Sequence, residues 1–197
     1  MTRPRSSRLT AAATLLCVGF LTAATGCSTG AKSTASGSSS PSGPVWPAPT
    51  TGVSARASAA GLLVLKAEAL TEHVHAHLDV FVNGTSVTVP ANIGIDYVAR
   101  RITPLHTHDS TGIVHIESPD ARPYTLGQFF AEWGVRLDSQ CLDTNCQPAM
   151  SLAVWVNGAP VPGNPASVVF HAHDEIVVAA GSPPAPVPSR YSFPSGY

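Results

Sequence analysis

The sequence predicts an α+β domain, a mostly antiparallel sheet with one packed helix, and three observations predict it. Apolar and polar residues alternate from His73 to Val82; Asn-Gly pairs at 83–84 and 157–158 follow strand-like runs; and "YTLGQFFAEWGV" alone sets large apolar residues at convincing helical spacing.

The elements follow in order. Arg3, Arg5 and Arg8 precede an apolar run over residues 11–24 and small residues up to Cys27. That order reads as a secretory signal and not as a membrane span. The tetrad Ala24-Thr25-Gly26-Cys27 resembles a bacterial lipobox, although Ala24 replaces the commoner Leu. The resemblance implies a lipoprotein signal peptide over 1–27, lipidation of Cys27, and a membrane association through that anchor only. Plain secretion is the alternative.

Residues 28–60 are rich in Ser, Thr, Gly, Ala and Pro with almost no large apolar side chains, a composition that cannot repay its ordering entropy. They are expected to be a flexible tether. The Pro- and Ser-rich stretch 182–197 is expected to be a disordered tail on the same grounds. Residues 61–181 remain for one domain with a single core.

Within them, "HVHAHLDVFVNGTSVTVP" reads as a hairpin turning at Asn83-Gly84. "PLHTHDSTGIVHIES" reads as a second hairpin whose turn is Asp109 to Gly112, which sets His106 opposite His115 and His108 opposite Ile113. Thr125 is suited to cap the helix and Gly134 to stop it, with Leu126, Phe129, Phe130 and Trp133 on its apolar side. "SLAVWVNGAPV" and "ASVVFHAHDEIVVAAG" complete the sheet. The order hairpin, helix, strand, strand is similar to a β-grasp (ubiquitin-like) domain with an inserted hairpin.

The whole chain carries a net charge of −1, but all twelve acidic residues lie between Glu68 and Glu175. Only Lys66, Arg100, Arg101, Arg122 and Arg136 accompany them, so the domain stands at −7. That sign lacks the electrostatic footprint needed for nucleic acid or an anionic membrane and suits a cation or a neutral partner. Cys17 leaves with the signal and Cys27 is assigned to the lipid, so Cys141 and Cys146 remain in a polar C-x4-C loop. Outside the cytoplasm such a pair is expected to form a disulfide, with a thiolate metal site as the lesser reading.

All eight histidines fall inside the domain: His73, His75, His77, His106, His108, His115, His171 and His173. They form four H-x-H pairs. Same-face residues on a strand stand about 6.6 to 6.8 Å apart, from which two imidazoles can converge on one ion at about 2.0 Å each. His106, His108 and His115 would share a face with Glu117, as a three-His site with a carboxylate as fourth ligand or orienter. His171 and His173 are a weaker pair, equally readable as the polar approach to the last strand. Asp79 and Asp109 fit turn or surface roles better than ligation.

Imidazole argues against calcium and magnesium, which want oxygen ligands. Met150 is the domain's only methionine, so a methionine-rich Cu(I) carrier is excluded as well. Copper(II) or zinc(II) is the expected ion.

The stretches "HVHAHLDVFVNG", "VPANIGID", "PLHTHDSTGIVHIESP" and "YTLGQFFAEWGVRL" resemble an uncharacterised family of secreted or membrane-attached His-rich proteins of actinobacteria and some archaea, over about residues 60–180. The resemblance implies an extracytoplasmic role and carries over no catalytic residue.

The expected function is metal scavenging, buffering or delivery. A small metalloenzyme, with three histidines holding the metal and Glu117 or Asp109 as base, is the alternative, and a surface interaction or pH-sensing module is the third reading.

Overall fold

A computed structural model describes residues 45–197; the signal segment, Cys27 and the first part of the expected tether lie outside the described residues. The chain is α+β, as expected. Helix α1 spans Val53–Ala59. The strands before the second helix are β1 (Glu72–Val82), β2 (Thr85–Val87), β3 (Ile95–Asp96), β4 (Arg101–Ile102), β5 (Leu105–His106) and β6 (Ile113–Ser118). Helix α2 (Leu126–Trp133) follows, then β7 (Cys141–Leu142), β8 (Asn145–Cys146), β9 (Leu152–Val156), β10 (Ala159–Val161) and β11 (Glu175–Ala180).

The main sheet runs in the order β10-β9-β11-β1-β6-β5, with β2 on the far end of β1. Every pairing is antiparallel except β1 with β11, the first and last strands of that sheet, which lie side by side at its centre. This is the arrangement expected of a β-grasp-like chain, with β5 and β6 as the inserted hairpin.

Local chemistry explains the turns. Asn83 and Gly84 both adopt positive φ (51° and 76°), as do Asn157 and Gly158 (54° and 79°), the backbone that two-residue hairpins of twisted strands require. In α2 the Thr125 side chain accepts from the Gln128 amide while the Gln128 side chain accepts from the Thr125 amide, a closed capping box; Gly134 at φ 76° ends the helix.

Alternation along β1 then divides the sheet into two faces. Ala76, Leu78 and Val80 join Val114, Ile116, Ile176 and Val178 in a core closed by Leu126, Phe129, Phe130 and Trp133 of α2. The opposite face carries the histidines.

Two expected boundaries need correction. The domain takes in part of the tether: Val53 and Ala57 of α1 are buried, Trp46 packs edge-on against Trp133 at 5.9 Å, and the Trp133 indole donates to the Trp46 carbonyl at 2.9 Å. A few well-spaced apolar anchors suffice there, and the average composition of 28–60 conceals them.

The stretch 182–197 likewise forms no regular element, yet it runs across the histidine face. Tyr191 stacks on His77 at 3.7 Å, Phe193 lies 5.0 Å from His173, and Tyr197 lies 4.7 Å from His75. Its aromatic residues hold it there without secondary structure. Among the described residues, no helix is long and apolar enough to cross a membrane.

Candidate metal centre

Strand pairing builds the site. Across β1 and β6, His75 is opposite His115 and His73 is opposite Glu117; across β5 and β6, His106 is opposite His115. Directly opposed residues share a face. The two histidine clusters of the sequence therefore meet on one surface, with β6 between them.

The His106–His115 register is the one expected from the Asp109–Gly112 turn. The hairpin is shorter than expected, however. β5 ends at His106, so the β5–β6 ladder stops there and His108 has no pairing partner opposite Ile113. His108 sits past the strand end, partly exposed, with its ring 4.8 Å from His106 and 4.5 Å from His115. Its Nε2 lies 3.4 Å from Glu68, a residue outside the expected set.

Ligand atoms of His106, His108, His115 and Glu117 all lie within 4.8 Å of one another, and so do those of His73, His75 and Glu117. The hydrogen bonds around them prepare nitrogen lone pairs. His106 is fully buried, and its Nδ1–H donates to the Thr103 carbonyl at 2.9 Å. Its Nε2 must then be the unprotonated nitrogen, and that atom is buried without a partner. An imidazole that gives one N–H to a backbone carbonyl and turns a bare nitrogen into a cluster of donors is the usual state of a metal ligand.

Glu117 repeats the pattern. Its Oε1 lies 3.0 Å from His115 Nδ1 and 3.4 Å from His73 Nε2, whereas its Oε2 is buried and unpartnered. His75 Nε2 is 3.1 Å from His115 Nδ1.

Burial sets the electrostatics. It lowers His75 to about 4, helped by neighbouring His115 and His73, and lowers His106 to about 4 despite the Glu117 charge. Both rings stay neutral, as ligands must be. For Glu117 burial works against ionisation, but the His115 hydrogen bond and the surrounding imidazoles outweigh it and hold the carboxyl below its ordinary range.

His77 shares the face yet stands apart. Its Nδ1 meets Glu175 Oε2 at 2.8 Å and its Nε2 meets the Thr111 carbonyl at 2.9 Å. Both partners are acceptors, so a doubly protonated ring satisfies both. Burial opposes that charge, but the Glu175 hydrogen bond and charge and the Thr111 carbonyl overcome it and raise His77 above its ordinary range.

Asp79 lies beside this pair, and burial, the largest influence, raises its carboxyl, with Glu175 adding to the effect against His77. His77, Asp79 and Glu175 also have ligand atoms within 4.8 Å of one another, but both nitrogens of His77 are already engaged. The triplet His73-His75-His77 is therefore divided between two environments.

The remaining candidates fall elsewhere. His171 and His173 occupy the turn before β11 and join none of these groups. His171 Nδ1 lies 3.3 Å from Asp174, and His173 Nε2 lies 3.1 Å from the Tyr197 carbonyl. Both are exposed and precede the strand, as the reading of a polar approach to β11 expected. Asp109 accepts from the Thr111 amide at 2.9 Å as a turn residue. Cys141 and Cys146 are joined in a disulfide across the β7–β8 hairpin.

Glu175, Glu68, Tyr191 and Tyr197 were absent from the expected set. Glu175 follows "HAHD" directly, but only the parallel pairing of β1 with β11 reveals its role.

Compared with protein-family models, curated sequences and solved structures, the chain returns no match. Its chemistry has to be read from the site.

Proposed function

We propose that this domain binds Cu(II) or Zn(II) and works outside the cytoplasm as a lipid-anchored protein that scavenges, buffers or delivers the ion. The carrying observation is His106, a fully buried imidazole whose Nδ1–H is committed to Thr103 and whose Nε2 has no protein partner among His108, His115 and Glu117. A bare buried nitrogen costs about 1 to 3 kcal/mol unless something binds it.

The donor set supports the choice of ion. Imidazole with one carboxylate suits Cu(II) and Zn(II) and is a poor match for the oxygen-seeking calcium and magnesium. Neutral His75 and His106 require no proton release before an ion binds. The anchor part of the proposal rests on Cys27 and the signal-like residues before it.

The test is metal content by plasma mass spectrometry on protein purified without a His tag or chelator, followed by Cu(II) and Zn(II) titration. The expected result is near-stoichiometric metal with affinity tighter than micromolar, lost in His106→Gln. Protein that arrives empty and binds neither ion more tightly than micromolar contradicts the reading. Incorporation of labelled palmitate that disappears in Cys27→Ala tests the anchor separately.

A further inference from the structure

We infer that the site is dinuclear, with two divalent ions placed on either side of β6 and the Glu117 carboxylate shared between them. This rests on the metal-binding reading above and deepens it.

Three observations lead there. First, the donors form two groups, His106, His108, His115 and Glu117 on one side and His73, His75 and Glu117 on the other, with Glu117 common to both. A single Cu(II) or Zn(II) ion takes about four ligands, and six residues compete for it here.

Second, β6 lies between β1 and β5 in the sheet. Neighbouring strands are about 4.8 Å apart, so donors rooted on β1 and β5 start roughly 10 Å from each other. One ion bonded at about 2 Å serves either side more readily than both.

Third, Glu117 belongs to both groups and keeps one oxygen in reserve: Oε1 lies 3.0 Å from His115 Nδ1 on β6 and also reaches toward β1. Oε1 lies 3.4 Å from His73 Nε2, close to the roughly 3.3 Å edge between ligands of a tetrahedral ion. Oε2 is buried with no hydrogen-bond partner. A carboxylate bridging two ions about 3.5 to 4 Å apart uses both oxygens. His73 supplies the exposed edge of the second position, which is how an ion would reach it.

The test loads chelator-stripped protein with Cu(II) and reads ion count by plasma mass spectrometry and spin coupling by electron paramagnetic resonance. The expected result is two ions per chain with a half-field signal from coupled copper. The double variant His73→Ala, His75→Ala should fall to one ion with an isolated-copper spectrum. Glu117→Gln should abolish the half-field signal. His73→Ala alone, at an exposed position, guards against loss of fold and should lower the count below two.

One ion per chain, lost in His106→Gln but indifferent to His73→Ala and His75→Ala, overturns the dinuclear inference and leaves the metal-binding reading standing. Two ions that show no coupling, with or without Glu117→Gln, also overturn it. No bound copper removes both.

Discussion

His77 and His106 are both buried histidines on the same face of the same sheet, yet their rings differ in one respect that decides their chemistry. Each nitrogen of His77 meets an oxygen acceptor, Glu175 on one side and Thr111 on the other. His106 has one acceptor, Thr103, and a second nitrogen with nothing to bind. The first ring is complete as an imidazolium, whereas the second keeps one nitrogen without a partner. Burial and H-x-H spacing are common to both, so neither marks a ligand; what separates them is the count of partners at each nitrogen.

The largest expected effect comes from breaking the incomplete side. His106→Gln should weaken Zn(II) binding by roughly 100-fold or more, while His77→Phe should leave it within about threefold, both measured by competition titration. Equal losses in the two variants would erase the distinction.

Stability should respond in the opposite sense. His77→Phe takes the hydrogen-bond partner from the buried Glu175 carboxyl, and breaking such a buried pair typically costs about 3 to 5 kcal/mol, to be read from urea unfolding of metal-free protein. His106→Gln should cost less, since its orphaned nitrogen contributes nothing in the absence of metal.

Glu132 lies on the core side, in α2. It too is buried with unpartnered oxygens, but it belongs to no cluster of donors. Burial raises it to about 8. Its carboxyl therefore keeps its proton in the folded state between an unfolded value of 4.5 and about 8, while the unfolded chain has released it. Over that window the folded state binds more protons, so Glu132 makes stability fall as pH rises. Glu132→Gln should flatten that slope and raise the unfolding free energy at pH 8 by on the order of a few kcal/mol. A slope unchanged by the substitution would assign the carboxyl an ordinary environment.

The smallest effect concerns the covering segment. Tyr191→Ala removes the ring stacked on His77 and should lower unfolding stability by about 1 kcal/mol, with no change in ion count.

How much of this the sequence discloses depends on the range of each interaction. The Asn83-Gly84 and Asn157-Gly158 turns, the Thr125 cap and the His106–His115 register are decided within a few residues, and all were legible. The meeting of His75 with His115 spans 40 residues, and the capture of His77 by Glu175 spans 98. Alternation assigns residues to a face but not to a neighbouring strand, so His73, His75 and His77 read as one group although their partners lie on two different strands. The covering segment has the composition of a tail, and its attachment depends on three aromatic residues that composition does not single out.

Two-dimensional nitrogen NMR of the histidine rings, recorded before and after adding Zn(II), reads the difference between His77 and His106 at the atoms concerned. Metal-free His106 should carry its proton on Nδ1 alone and its Nε2 resonance should move to a coordinated position with zinc, while His77 stays protonated at both nitrogens throughout. Zinc that shifts His77 and leaves His106 unmoved would contradict that assignment.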